Sequence, residues 1–142
     1  MPQADNELEI DIKSEQNKDV KQDTDLLKSS NLHFTMRLRL VNERPFFGPG
    51  AAQLLSLIDK TNSVHLACLQ MGISYSKGWK ILRVMEEQTG KALTFRKQGG
   101  KNGGEAQLTQ DGHELLDTFS AFEEKCTAFV QKEFDNAFSK WI

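Results

Sequence analysis

The chain has 142 residues, of which 38% are hydrophobic and 27% are charged, a composition typical of a globular protein with one core. No stretch approaches the roughly 18 consecutive apolar residues of a membrane-spanning helix, and the first residues form neither a basic leader nor an apolar run. These features argue against a membrane or secreted protein, so we expect a cytoplasmic one.

The formal net charge of −2 hides an uneven distribution of charge along the chain. Residues 1–35 contain eight acidic and four basic residues, whereas residues 36–112 contain eleven basic and six acidic ones. The last thirty residues are acidic again, with six acidic and three basic residues. A basic central block is compatible with a surface that binds nucleic acid, despite the acidic total.

The first predicted elements are a tail and a strand. Residues 1–32 are polar and contain no aromatic residue, so we predict a disordered acidic tail. From Phe34 to Val41, apolar residues alternate with polar ones, which predicts a β-strand with one apolar face. The glycines and prolines of RPFFGPG then predict a turn, followed by a helix that starts at about Ala51.

Three helices are predicted next. The first runs from about Ala51 to Thr61, and its buried stripe consists of Leu54, Leu55, Leu57 and Ile58. The second begins after Asn62 or Ser63 and ends at Gly72. The third has Ser74 as its N-cap and ends at Gly90. Two helices separated by a tight turn containing glycine are typical of a helix-turn-helix.

A wing and a long helix are predicted to follow. Leu93–Lys97 and Ala106–Leu108 read as strands joined by the glycine-rich run Gly99–Gly104. Thr109 caps a last helix that extends toward Trp141 and has more apolar surface than a small domain needs. We therefore expect a homodimer, and the predicted dimer interface consists of Phe119, Phe122, Phe129 and Phe134.

The predicted fold is mainly α with a small β wing. It comprises the tail, a winged helix-turn-helix domain over residues 33–112 and a C-terminal dimerisation helix over residues 113–142. The two cysteines, Cys68 and Cys126, lack CxxC spacing and are predicted to be buried free thiols.

Three segments, FFGPGAAQLLSLID, NSVHLACLQMGISYSKGWKIL and GGKNGGEAQLTQDG, resemble the amino-terminal domain of bacterial molybdate-dependent transcriptional regulators of the ModE type. The most specific motifs are the GISYxxxW run Gly72–Trp79 and the GGKxGG run Gly99–Gly104. The resemblance implies a LysR-like winged helix that binds double-stranded DNA, with the SYxxxW helix in the major groove. The chain has no room for the oxyanion-binding domains of that family, so molybdate binding is not expected.

The resemblance makes the helix after Ser74 the candidate recognition helix, and polar or basic residues on it and on the wing are the candidate DNA ligands. The predicted DNA-binding residues are Ser74, Tyr75, Ser76, Lys77, Lys80, Arg83, Arg96, Lys97 and Lys101. The structural alternatives are a helix cap for Ser74, a pair with Glu86 or Glu87 for Arg83, and a solvated polar face for the rest. Trp79 is predicted to lie in the core and His65 on the surface.

Two departures from the family pattern favour an alternative, a winged-helix module that binds proteins and has lost DNA binding. Ala51 stands where the family commonly has a basic residue, and Glu105 would repel a phosphate from the wing. A small-oxyanion sensor is a third hypothesis. No P-loop order, metal-ligand spacing or Ser-His-acid set is present, so we expect no enzyme activity, cofactor or metal.

Overall fold

The computed structural model describes residues 31–97 and 105–142, apart from the side chain of Lys97. The predicted tail up to residue 30 and the predicted wing loop Gly99–Gly104 lie outside the described residues. The chain divides into two units. Among the described residues, the larger unit comprises 35–97 and 105–131, and the smaller comprises 31–34 and 132–142. The two are described separately below.

Helices account for most of the described chain. Strands β1 (Leu40–Val41) and β2 (Pro45–Phe47) precede helices α1 (Pro49–Thr61), α2 (Val64–Met71) and α3 (Tyr75–Thr89). Strands β3 (Thr94–Lys97) and β4 (Glu105–Leu108) follow, and then the long helix α4 (Gln110–Ala137). Each strand pair forms a two-stranded antiparallel sheet. The predicted fold class, mainly α with a two-stranded wing after a helix-turn-helix and a long last helix, is confirmed.

The ends of α2 and α3 follow from local chemistry. The hydroxyl oxygen of Ser63 accepts a hydrogen bond from the backbone N–H of Leu66 (3.1 Å). That of Ser74 accepts one from the N–H of Lys77 (3.1 Å). Gly72 and Gly90 end the two helices at φ values of 68° and 67°, a left-handed conformation that glycine adopts without steric cost. The N-caps and end points predicted for these helices are therefore correct.

The predicted strand from Phe34 to Val41 is too long. Only Leu40 and Val41 pair, with Phe47 and Pro45, and residues 31–39 form neither helix nor strand. A strand needs a partner for its backbone N–H and C=O groups, and the three-residue β2 supplies one for β1 alone. This partner lies inside the segment that was predicted to be a turn. Helix α1 also begins two residues earlier than predicted, at Pro49, because proline suits the first helical turn.

The turn between β1 and β2 is tied to the last turn of α3. The side-chain oxygen of Gln88 accepts hydrogen bonds from the backbone N–H groups of Glu43 (3.0 Å) and Arg44 (3.3 Å). The side-chain amide of Asn42 donates to the backbone oxygen of Gln88 (3.1 Å). An exposed ion pair joins Arg44 to Glu87 at 2.7 Å. The hairpin is therefore held against α3 mainly by Gln88, since an exposed ion pair contributes little.

The core of the larger unit lies between the three short helices, the wing strands and the first turns of α4. Its largest fully buried side chains are Phe47, Leu54, Leu55, Ile58, Leu82, Met85, Leu93 and Cys68. Phe119 joins them and lies edge-to-face against Phe47, with ring centroids 4.9 Å apart. Only 2% of Phe119 is exposed, so it cannot contact a partner copy. This burial corrects its predicted place at the dimer interface.

The part of α4 beyond Phe119 exposes apolar side chains. Phe122 is 48% exposed and Phe129 is 66% exposed. In the smaller unit, Phe134 is half-buried, with ring centroids 5.4 Å from Phe34 and 5.0 Å from Phe138. The helix ends at Ala137, short of Trp141. None of the helices within residues 31–97 and 105–142 is long and apolar enough to cross a membrane.

Candidate nucleic-acid interface

The first two turns of α3 carry the polar side chains that were predicted to bind DNA. Tyr75, Ser76, Lys77 and Lys80 are exposed, as is the capping residue Ser74. Successive helical residues are rotated by about 100°, so Tyr75 and Trp79 lie on one side of α3 and Lys77 on the opposite side. Ser76 and Lys80 lie between these two sides, on the outward face.

Arg83 extends this outward face by one turn and is not neutralised by the acids near it in sequence. The carboxylate of Glu86 accepts hydrogen bonds from the backbone N–H groups of Leu93 (3.0 Å) and Thr94 (3.3 Å). Glu87 pairs with Arg44 instead. Within the described ranges Arg83 therefore has no acidic partner, and the predicted alternative of a pair with Glu86 or Glu87 is not found.

One side of α3 adjoins the wing through an aromatic cluster. The guanidinium carbon of Arg96, on β3, lies 3.7 Å from the centroid of the Trp79 ring. Tyr75 contacts Trp79 edge-to-face, and His65 contacts Tyr75, each pair with centroids 6.0 Å apart. Trp79 packs partly against the core and partly beneath Arg96, so its side chain is half-buried. The prediction that it lies in the core is therefore only partly correct. His65 is exposed, as predicted.

The remaining wing residues are only partly described. The Cα atoms of Lys97 and Glu105 are paired across the β3–β4 ladder, and the side chain of Glu105 is exposed. The side chain of Lys97 and the whole of Lys101 lie outside the described residues. Their predicted DNA contacts stay predictions.

The other side of α3 borders a groove of about 1050 Å³. Its walls are α3, the end of α2 with the turn after it, β2, the start of α1 and the extended segment before β1. Every charged residue in its lining is basic, namely Arg37, Arg39, Lys77 and Lys80. All four side chains are exposed. We call this feature the basic groove. It places two lysines of α3 opposite two arginines that precede β1.

Arg39 lies against the start of α1. A Cβ atom on Gly48, the N-cap of α1, would come within 3.1 Å of Arg39 Cγ and 3.8 Å of its Nε. Gly48 makes no side-chain hydrogen bond to the first N–H groups of the helix. The absence of a side chain at this position therefore leaves room for the arginine beside a helix start, which has no capping side chain.

The sequence prediction missed Arg37 and Arg39. The alternating pattern placed both on the polar face of a strand, but nothing in that pattern indicated which element this face adjoins. The one available signal was that two arginines spaced by two residues share a side of an extended segment. Their position opposite Lys77 and Lys80 depends on the tertiary structure.

The cysteines and acidic residues of the described ranges form no second site. Cys68 is buried and free, as predicted, and burial raises the pKa of its thiol, with the backbone N–H of Gly78 opposing the shift. Cys126 is also free but only half-buried. No group of three or more potential metal ligands occurs among residues 31–97 and 105–142.

Comparison with known proteins identifies distant relatives. No family model matches the chain. The transcriptional regulator ModE of Yersinia pestis is 32% identical over 95 residues, which cover 67% of this chain and 35% of that protein. ModE of Haemophilus influenzae is 29% identical over 97 residues, or 68% of this chain and 37% of that protein. The DNA-binding transcriptional dual regulator ModE of Escherichia coli is 30% identical over 95 residues, with coverages of 67% and 35%.

The matched region covers about a third of the length of these relatives. They are named as transcriptional regulators and not as enzymes. About two thirds of the chain is therefore a ModE-like domain, distantly similar to the N-terminal region of the ModE transcriptional regulators.

Proposed function

We propose that this protein is a DNA-binding transcriptional regulator in which α3 enters the major groove of double-stranded DNA and the wing contacts the flanking backbone. The observation that carries this proposal is the exposed start of α3, where Lys77 and Lys80 line the basic groove and Trp79, on another side of the helix, lies beneath Arg96. The names of the relatives support it, because the Escherichia coli protein is called a DNA-binding transcriptional regulator. By this proposal the protein acts in the bacterial cytoplasm.

The arrangement of α3 assigns different tasks to its residues. Lys77 and Lys80 supply positive charge for phosphates, which dominate the affinity of proteins for DNA. Ser76 and Arg83 lie on the outward face and contact the edges of the bases. Arg96 is oriented by its stacking on Trp79 and contacts the DNA backbone. Ser74 acts mainly as the cap that orients the helix, and Tyr75 rests on Trp79 at the edge of the contact.

We infer that the regulator is a homodimer formed through α4. Phe122 and Phe129 are seven residues apart and exposed, and a second copy of the helix would remove both rings from water. Phe134 is half-buried beside Phe34, and its place at the dimer interface stays a prediction. A two-fold axis would present two α3 helices to successive major grooves about 34 Å apart, which suits a pseudo-palindromic site.

An acidic patch on the recognition face would favour the alternative of a protein-interaction module. The charged residues that line the basic groove are all basic, and Arg83 on the outward face lacks an acidic partner among the described residues. These observations favour DNA as the partner of this surface.

The DNA contact is tested by fluorescence anisotropy on duplexes selected from genomic DNA with the purified protein. We expect Lys77→Ala and Lys80→Ala each to weaken binding and to lower the slope of log affinity against log salt by about one, as expected for one lost phosphate contact. Lys60→Ala is the matched control, because Lys60 is exposed at the opposite end of α1 from the basic groove. Unchanged affinity in both test variants would contradict the proposed role of α3.

The homodimer is tested by sedimentation equilibrium. We expect the double variant Phe122→Ser/Phe129→Ser to be monomeric at concentrations at which the wild-type protein is dimeric. Leu69→Ser is the control, since Leu69 is 62% exposed on α2, outside the proposed interface. A double variant that dimerises as tightly as the wild-type protein would exclude this face of α4 as the interface.

A further inference from the structure

We propose that the basic groove is a second phosphate-binding surface, in which Arg37 and Arg39 contact the backbone of the same duplex that α3 reads. This inference rests on the proposed function and extends it to two residues outside the helix-turn-helix and the wing. The contacted group is the sugar-phosphate backbone, not the bases.

The first argument is charge. Arg37, Arg39, Lys77 and Lys80 line one groove, and its lining contains no acidic side chain. Neither arginine forms an ion pair with any residue in the ranges 31–97 and 105–142. Four positive charges around one open space repel each other, and an anion placed between them relieves that repulsion. A guanidinium group is also well matched to phosphate, because it donates parallel hydrogen bonds to two oxygens.

The second argument is that Arg39 and the hairpin after it are held in place. Arg39 packs against Gly48 at the start of α1. The β1–β2 hairpin that follows it is fastened to the end of α3 through Gln88. Both attachments fix the extended segment relative to Lys77 and Lys80. Binding therefore requires little ordering of the chain, which lowers its entropic cost.

The third argument distinguishes a DNA backbone from a free phosphate ion. Sites for small molecules enclose most of the surface of their ligand. The basic groove is open instead, since its four cations are all exposed. It is also continuous with the outward face of α3, because Ser76 and Lys80 belong to both. Successive phosphates along a strand can occupy several of these cations at once, whereas one free anion cannot.

The experiment uses the full chain with Arg37→Gln and Arg39→Gln combined, because glutamine removes the charges and keeps part of each side-chain stem. The control is Lys60→Gln/Lys140→Gln, which removes the same charge from two exposed residues outside the groove. Thermal unfolding checks that each variant is folded. Duplex affinity is then measured between 50 and 200 mM salt, on a selected genomic duplex and on an unrelated duplex of equal length.

We expect the slope of log affinity against log salt to be shallower by about two in the arginine variant. The ratio of wild-type to variant affinity should then fall about tenfold between 50 and 200 mM salt. The loss should be equal on both duplexes, since backbone contacts do not distinguish sequences. An unchanged slope in the variant, or a loss confined to the selected duplex, would overturn the inference while leaving the proposed function standing. If the wild-type protein binds neither duplex, both the proposed function and the inference are overturned.

Calorimetry with inorganic phosphate tests whether the groove binds a free phosphate ion instead of the phosphates of a DNA backbone. We expect no saturable binding to the wild-type protein at millimolar phosphate. Saturable binding that the arginine variant lacks, together with an unchanged duplex salt slope, would make the groove a site for a free anion and overturn the inference.

Discussion

Arg96 lies with its guanidinium carbon 3.7 Å from the centroid of the Trp79 ring, so a cation–π contact joins wing strand β3 to helix α3. A contact of this kind at an exposed site contributes about 0.5–1 kcal/mol. It connects the two elements that are proposed to contact DNA. The orientation of the wing therefore depends in part on a residue of α3.

Removing this contact should be visible in tryptophan fluorescence. In a Trp141→Phe background Trp79 is the sole tryptophan, since the chain has two. We expect Arg96→Ala to shift the emission of Trp79 to longer wavelength, because the ring gains contact with water, and to lower the free energy of unfolding by about 0.5–1 kcal/mol. Arg83→Ala is the control. Emission that is the same in both variants would show that Arg96 does not cover the ring in solution.

Gly78 should not tolerate alanine. A Cβ atom there would clash with Sγ of Cys68, so the buried Cys68 side chain would have to change rotamer or α2 and α3 would have to shift apart. We expect Gly78→Ala to lower the free energy of unfolding by about 1–3 kcal/mol, although alanine is the better helix former. Cys68→Ala should recover part of this loss when the two are combined, as a double-mutant cycle in chemical denaturation will show. Gly50→Ala, with open space around its Cβ, is the control.

Glu86 should stabilise the junction between α3 and the wing. Its carboxylate accepts hydrogen bonds from the N–H groups of Leu93 and Thr94, and from the Thr94 hydroxyl at 3.4 Å. Glu86→Ala leaves these donors without their acceptor, so we expect a loss of about 1–3 kcal/mol in the free energy of unfolding. Glu86→Gln retains an acceptor oxygen and should lose less. Equal losses in chemical denaturation would refute a role as hydrogen-bond acceptor.

The two thiols should differ in reactivity. Burial raises the pKa of Cys68, so at pH 8 less of it is thiolate than of an ordinary cysteine. We expect a disulfide reagent to label Cys126 first and Cys68 only after unfolding. The associated contribution to stability is present below the ordinary thiol pKa and is lost as the pH rises through the folded-state pKa. Rapid labelling of Cys68 at pH 8 in folded Cys126→Ser protein would contradict this.

The ends of α2 and α3 were predictable because they depend on residues that are adjacent in the sequence. Ser63 and Ser74 cap their helices through their own hydroxyls, and Gly72 and Gly90 end them through their own φ angles. The strand predicted from Phe34 failed for the opposite reason. Its alternation is a local property, whereas strand formation requires a partner elsewhere in the chain, and that partner was hidden in a segment rich in glycine and proline.

The sequence likewise indicated only the part of the candidate site that depends on local motifs. The resemblance to ModE-type regulators, combined with the N-cap at Ser74, predicts from the sequence alone that the start of α3 contacts DNA, and the structure shows that these side chains are exposed. Phe119 was assigned to the wrong surface because helical spacing does not show where the core ends and the exposed face begins. Arg37 and Arg39 were missed because only the folded chain brings the segment before β1 alongside α3.

The attachment of Gln88 to the β1–β2 turn has a mechanical consequence. An oxygen that accepts two backbone N–H groups makes the hairpin and the end of α3 a single stiff piece. The spacing between the arginines and the lysines of the basic groove is then fixed before a ligand binds. Under the proposed function, a duplex that fits this width would bind without rearrangement of the protein and a distorted one would bind less well, so Gln88 would contribute to selection by DNA shape from outside the proposed contact surface.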